Sequence, residues 1–210
     1  MNRKIIFIGG GGHAKVLSEL LNAQGIDIHT IVSPQIDRSF HLFKDVKQLE
    51  CDKELLNFDT AEIYLVNAVG TLPGDQLRRN IFQKYTTKGY SFASVISERS
   101  LLSSSGFLGE GVQIMPGAII NADVQVGENS IINSGSILEH DCKIGEHVHV
   151  APGVTLCGGV ICGDNVHIGT GANVIQGVRI GCGAQVGAGV TLTADLLPGK
   201  KAYVAKSFLP

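Results

Sequence analysis

The side chains best suited to do chemistry lie in one short stretch, Ser136–Val150 (SILEHDCKIGEHVHV), which holds three of the seven histidines. His140 is followed directly by Asp141, and His149 comes nine positions later. Imidazole, with an unperturbed pKa of about 6.5, suits a general base near neutrality. A neighbouring carboxylate can orient the ring, but side chains adjacent on a flat strand point to opposite faces. His140 and Asp141 can therefore work together only at a corner. His167 follows His149 by three hexapeptides, and the spacing predicts that the two stack at one corner as surface turn residues.

A second candidate is the run Gly9-Gly10-Gly11-Gly12-His13-Ala14-Lys15. It lies between an apolar stretch and a helical pattern, where backbone N–H groups and a helix N-terminus can hold a phosphate. The spacing Gly9-x-Gly11-x-x-Ala14 fits the dinucleotide fingerprint, yet the acid expected roughly 20 residues on is missing. Val32-Ser33-Pro34 stands there, and Asp37 comes later. A nicotinamide-dependent reductase is thus disfavoured. A phosphate-holding loop for a nucleotide-linked substrate and a tight structural turn are the two readings of the glycines.

The elements that must position these residues follow from a repeat. Every sixth residue from Leu102 to Leu192 is aliphatic or Cys, sixteen in succession. Four residues after nearly every one comes a small or β-branched residue, such as Val112, Ala118, Ser130, Val148 or Val154. Gly often follows the aliphatic residue, as at Gly109, Gly127, Gly145 and Gly163. Period six is neither helical nor simple alternation. It calls for a short strand with two inward side chains and a corner where Gly relieves the backbone. Three sides close one coil, so positions three hexapeptides apart stack, and the run 102–197 gives a little over five coils. A sandwich of short strands would need irregular turn spacing. On this frame His140 falls at a corner.

Ahead of the repeats, residues 3–8, Ile26–Val32 and Ala61–Val69 read as strands. Leu17, Leu20 and Leu21 mark a helix stopped by Gly25, and Pro73 opens another carrying Leu77, Ile81 and Tyr85, ended by Gly89. Tyr90–Ser97 is the last strand before the repeats. Alternating strands and helices make a small parallel α/β sheet.

The chain of 210 residues has a formal net charge of −2 with no concentration of Lys and Arg, which argues against nucleic acid or a membrane surface as partner. No apolar run approaches the roughly 18 residues of a membrane span. The apolar N-terminal stretch is too short for a signal peptide, so a cytoplasmic location is expected. Five cysteines, an odd number without a paired framework, read as reduced thiols.

The six-residue register closely resembles the hexapeptide-repeat family, whose members form a left-handed parallel β-helix. That family is dominated by acyltransferases, usually trimers with active sites in clefts between neighbouring helices. The whole chain is similar to the sugar acetyltransferases that join a small Rossmann-like nucleotide-binding domain to this β-helix. They include N-acetyltransferases of UDP-, GDP- and dTDP-linked 4-amino sugars and proteins named sialic acid O-acetyltransferases. The resemblance is carried by GGGGHAK and by the second stretch, where Glu139 precedes His140, an acid follows it, and His149 comes nine positions on.

The resemblance implies a nucleotide-sugar-binding domain over 1–95, with Gly9, Gly10, Gly11, Gly12 and His13 at the substrate, and an acetyl-CoA-binding catalytic domain over 96–210. It implies His140 as the base that deprotonates a sugar amine attacking the thioester, and Asp141 as the group that holds the imidazole. It places His149 against the acetyl-CoA acyl or pantetheine end, and the N–H of Gly158, one coil from His140, at the thioester carbonyl. A homotrimer is implied, and no metal is required. Departures are Val32-Ser33-Pro34, where relatives often carry acids that hold a uridine, and Ala202-Tyr203-Val204-Ala205-Lys206 in place of a Gly-x-Pro-Ala-Lys-like segment. Lys200, Lys201 and Lys206 are candidates for the CoA phosphates or a solvated tail.

Rival readings are a zinc enzyme of the β-helix carbonic anhydrase type, which needs three converging imidazoles, and a non-catalytic nucleotide-sugar-binding β-helix protein. Within acyl transfer, N-acetylation of a nucleotide-linked amino sugar is preferred to O-acetylation of sialic acid, because a free sialic acid needs no glycine loop.

Overall fold

The computed structural model describes residues 3–204. The chain divides into two compact units between Val95 and Ile96.

The first unit is a four-stranded parallel sheet built from β1 (Lys4–Ile8), β2 (Ile28–Val32), β3 (Lys47–Leu49) and β4 (Ile63–Asn67), in the order β3-β2-β1-β4. The apolar run Ile6-Phe7-Ile8 is buried, as a strand covered on both faces must be. Helix α1 (Gly12–Ala23) buries Leu17, Leu20 and Leu21 at helical spacing. It ends where Gly25 adopts φ +69° and the Ile26 N–H donates to the Leu21 carbonyl at 2.9 Å, a left-handed stop that glycine allows.

Two expectations for this unit are corrected. Pro73 lies in a turn and does not open a helix; α3 spans Leu77–Thr86, with the Asp75 carboxylate accepting from the Leu77 N–H at 2.8 Å. Tyr90–Ser97 is not one strand. The Tyr90 hydroxyl donates to the Leu55 carbonyl at 3.2 Å, Phe92 makes a single bridge to Leu65, and only β5 (Val95–Ile96) is a strand. The segment after β2 holds β3 and the one-turn α2 (Asp52–Leu55), elements too short and polar to show a period.

The second unit is a parallel β-helix of two-residue strands on three sides. The sides hold seven, six and five strands, the seven beginning with β5. Paired strands are separated by three hexapeptides: Val126 pairs with Ile144, Val150 with Ile168, and Leu138 with Leu156. The inward residues, including Val112, Ala118, Leu138, Val148, Val150, Val154 and Leu156, form one buried column. Truncating a buried Leu in such a column costs about 2–5 kcal/mol.

The turn chemistry differs from expectation in one respect. Every sixth residue from Gly111 to Gly189 has positive φ, three places after the inward aliphatic residue and not one. Nine of these are Gly; the others are Asp123, Asn129, Asp141, His147 and Asn165, and Asn, Asp and His are the side chains that tolerate this region best. The glycines directly after the aliphatic residue are required by space. At Gly127 an added Cβ would lie 2.6 Å from the Gly145 carbonyl carbon in the next coil. The register also ends differently. Lys201–Ala202 pairs with Gln185–Val186, so the last coil is shorter than the three hexapeptides of its predecessors.

Candidate active site

His140 and Asp141 occupy a turn on the β-helix surface, 66% and 64% exposed. Asp141 has φ +61°, and this left-handed corner lets the two adjacent side chains converge. The His140 Nδ1 lies 2.7 Å from the Asp141 Oδ2. The hydrogen bond to Asp141 raises the His140 pKa above 6.5; slight desolvation opposes it, and the charges of Asp141 and Glu139 add to the rise. With Nδ1–H donated to the carboxylate, Nε2 carries the lone pair.

Gly158 lies against the imidazole from the next coil. A Cβ at Gly158 would be 2.6 Å from both Nε2 and Cε1 of His140. Glycine is demanded here by the ring, since its φ lies outside the left-handed range. Among the described residues the Gly158 N–H donates no backbone hydrogen bond, while its neighbour Gly159 donates to the His140 carbonyl at 2.9 Å. Glu139 is fixed by Asn121, one coil earlier, whose Nδ2 donates to its Oε2 at 2.9 Å.

His149 and His167 are not at a corner. They lie opposite one another on neighbouring strands of one flat side, His149–Val150 and His167–Ile168. Their rings meet edge to face, centroids 4.9 Å apart. Burial pushes the His167 pKa down, and its Nδ1 is enclosed without a hydrogen-bond partner among the described residues. The Asn133 Nδ2 stands 3.2 Å from the His149 Nε2. Asn133 lies almost a full coil before its partner in sequence and carries no motif that could have singled it out.

Gly9, Gly10, Gly11, Gly12 and His13 line a cavity of about 790 Å³ within the α/β unit. Gly9, at φ +107°, packs on Val69, and a Cβ at Gly10 would be 2.6 Å from Ile36. Gly11 and Gly12 have nothing within 4 Å of their Cβ positions. They open onto the cavity at the start of α1, where free N–H groups and the helix dipole favour an anion. Other lining residues are Val32, Ser33, Pro34, Glu50, Asp52, Ile81 and Lys84. Lys84 is ion-paired with Asp52 at the rim. Asp37 does not line the cavity. It holds Lys15 at 2.5 Å and accepts from Ser39, contacts that lower its pKa to about 2.

One wall of the cavity depends on a residue without a motif. Arg78 is buried, and its Nη1 donates to the carbonyls of Asn67 at 2.6 Å and Val69 at 2.8 Å. Desolvation pushes its pKa down to about 9. It thereby fixes the end of β4 against α3.

No group of three or more His, Cys, Asp or Glu among the described residues is placed to hold a metal ion. No helix among them is long and apolar enough to cross a membrane. Lys200 and Lys201 are exposed, whereas Lys206 lies outside the described residues.

Comparison with known proteins bears on both units. The PglD N-terminal domain family matches residues 4–85, and the bacterial transferase hexapeptide (six repeats) family matches residues 107–140. A histidine-to-alanine variant of GDP-perosamine N-acetyltransferase from Caulobacter crescentus, solved with CoA and GDP-perosamine, is 33% identical to this chain. The match covers 96% of this chain and 94% of that one, with a TM-score of 0.83. The chain belongs to the hexapeptide-repeat sugar acetyltransferases. Another of these acetyltransferase structures, the PglB domain from Neisseria gonorrhoeae with acetyl coenzyme A, is 27% identical, covers 96% of each chain and has a TM-score of 0.85. WeeI from Acinetobacter baumannii, at 21% identity and a TM-score of 0.82, shares the fold. A comparison with curated proteins gave no match.

Proposed function

We propose that this acetyltransferase moves an acetyl group from acetyl-CoA to the amine of a nucleotide-linked amino sugar, with His140 as general base. The observation that carries this reading is the His140–Asp141 pair at 2.7 Å with its ring seated on Gly158. Solved relatives hold CoA with GDP-perosamine, or acetyl coenzyme A.

In the reaction, the amine lone pair attacks the thioester carbonyl while the His140 Nε2 takes the proton the nitrogen loses. His140 returns that proton to the departing sulfur. Asp141 holds the ring and stabilises its charged form. The Gly158 N–H, which donates no backbone hydrogen bond among the described residues, is the group to meet the developing oxyanion. The amide bond forms as the thioester bond breaks, with no net redox change and no covalent enzyme intermediate. His149, set by Asn133, contacts the acyl or pantetheine end.

Residues 1–95 would take the nucleotide through the open edge of Gly11 and Gly12, and residues 96–210 would take acetyl-CoA. The cavity beside that edge supports a nucleotide-linked substrate over a free sialic acid. A homotrimer in the cytoplasm completes the proposal. Its support is family membership and the outward apolar column Leu101, Ile119 and Ile137 on one side of the β-helix; sedimentation velocity tests the trimer.

His140→Ala tests the mechanism. The expected result is a kcat lower by roughly 10²–10⁴-fold, with CoA affinity unchanged by titration calorimetry. Wild-type turnover in that variant would remove His140 from the reaction.

A further inference from the structure

The acid that a Rossmann-like site places at the end of its second strand is absent from this sequence, but the sheet supplies one from the next strand over. Val32 pairs with Leu49, and the Ser33 N–H donates to the Leu49 carbonyl at 2.9 Å. Glu50 therefore emerges beside Ser33, and it lines the glycine-loop cavity. We propose that Glu50 reads the nucleobase of the sugar nucleotide, and that this base is guanine. The inference rests on the reading of that cavity as the nucleotide site.

Three observations single out Glu50. First, the other acids at hand are already engaged: Asp37 by Lys15 and Ser39, Asp52 by Lys84. Glu50 makes no hydrogen bond or ion pair among the described residues. Second, the Gln48 Nε2 donates to the carbonyls of Ser33 at 2.9 Å and Pro34 at 3.3 Å, so these carbonyls are already engaged once, while the carboxylate beside them is a charged acceptor with no partner among the described residues. Third, the position in the sheet fits a base and not a ribose. An acid at the end of the second strand meets the ribose. Glu50 follows β3, two strands from the glycine loop on β1, or about 10 Å at ordinary strand spacing. One strand further out, it meets the ring one step further from the phosphates.

The chemistry of a lone carboxylate then selects the base. Its two oxygens accept and cannot donate. Guanine offers two adjacent donors, N1–H and the 2-amino group, and can be held by both oxygens. Uracil and thymine offer one N–H between two carbonyl oxygens, which the carboxylate repels. Adenine offers an amino group beside an acceptor nitrogen. Bonds to a charged group make this pairing worth roughly 10- to 100-fold in affinity.

The test is titration calorimetry of GDP, IDP, UDP and dTDP on the full chain and on Glu50→Gln. Glu50 is exposed, so the variant is expected to fold and to keep its affinity for acetyl-CoA. In the wild type, GDP should bind roughly 10- to 100-fold more tightly than UDP or dTDP. IDP, which lacks the 2-amino group, should fall between them. In Glu50→Gln GDP affinity should fall while UDP affinity rises as the repulsion of its carbonyl oxygens is lifted, so the GDP advantage over IDP and UDP should collapse. UDP or dTDP binding as tightly as GDP, or GDP affinity unaffected by the substitution, overturns the guanine assignment and leaves the nucleotide site standing. Failure of all four nucleotides to bind the wild type overturns the nucleotide site itself, and this inference with it.

Discussion

A Cβ placed on Gly127, in the β-helix, would collide with the Gly145 backbone of the next coil, while a Cβ on Gly12, in the α/β unit, would meet nothing within 4 Å. The two units use the same residue for opposite ends. In the solenoid, glycine serves the chain's own packing, coil against coil. In the loop before α1 it leaves room that the chain does not fill. Gly158 belongs to neither group, because what excludes a side chain there is the imidazole of His140. The missing side chain at Gly158 answers to the proposed active site and not to the scaffold.

Substitution by alanine at these three places should separate the roles. Gly158→Ala should have the largest effect, because it displaces an exposed ring that can swing away without unfolding the coil. The expected result is a kcat lower by about 10²-fold, as for a misplaced catalytic group, with an unchanged Tm. A normal kcat would mean that the ring need not lie where it does. Gly127→Ala should act on stability alone, by about 1–3 kcal/mol from overpacking, read as a lower Tm in calorimetry with KM values preserved. Gly12→Ala should have effects of opposite sign. Replacing a helical glycine reduces the freedom of the unfolded chain, so Tm should rise by the equivalent of about 0.5–1 kcal/mol. The KM for the nucleotide sugar should rise roughly tenfold as the phosphate loses close approach to the backbone. An unchanged KM would return the loop to a purely structural turn.

The smallest effect concerns pH. The proposed base, His140, can take a proton only when neutral, and Asp141 raises its pKa above 6.5. The acid limb of kcat/KM should therefore lie above pH 6.5 in the wild type. In Asp141→Asn that limb should move down toward 6.5, together with a lower plateau. A limb that stays in place would dissociate Asp141 from the titrating group.

The period of six made the solenoid legible, because the inward residues repeat without interruption. The conformational demand was harder to see. It falls three places after the aliphatic residue, where Asp123, Asn129, Asp141, His147 and Asn165 share the position with glycine and hide the pattern. The pairing of His140 with Asp141 was readable as a condition on the corner, and φ +61° at Asp141 meets it. Residues whose partners lie far off in sequence were not readable. Asn133 meets His149 across a coil, Arg78 on α3 holds carbonyls at the end of β4 and just past it, and Glu50 depends on a three-residue strand too polar to announce itself. His149 and His167 were placed at a corner because their spacing fixes stacking but not which part of the hexapeptide stacks.

The shortened last coil has a consequence for what the solenoid can become. An open-ended parallel stack presents free N–H and carbonyl groups at its final edge, an invitation to end-on polymerisation. Among the described residues this edge departs from the register of the coils before it. His167–Ile168 and Gln185–Val186 are still three full hexapeptides apart, but the step from there to Lys201–Ala202 falls short of that. Pro198, packed on Gly181, offers no N–H, and Lys200 and Lys201 put like charges where an incoming strand would dock. A regular interior that would accept another turn thus meets, at Lys201–Ala202, a step out of register that disfavours end-on addition of a second copy.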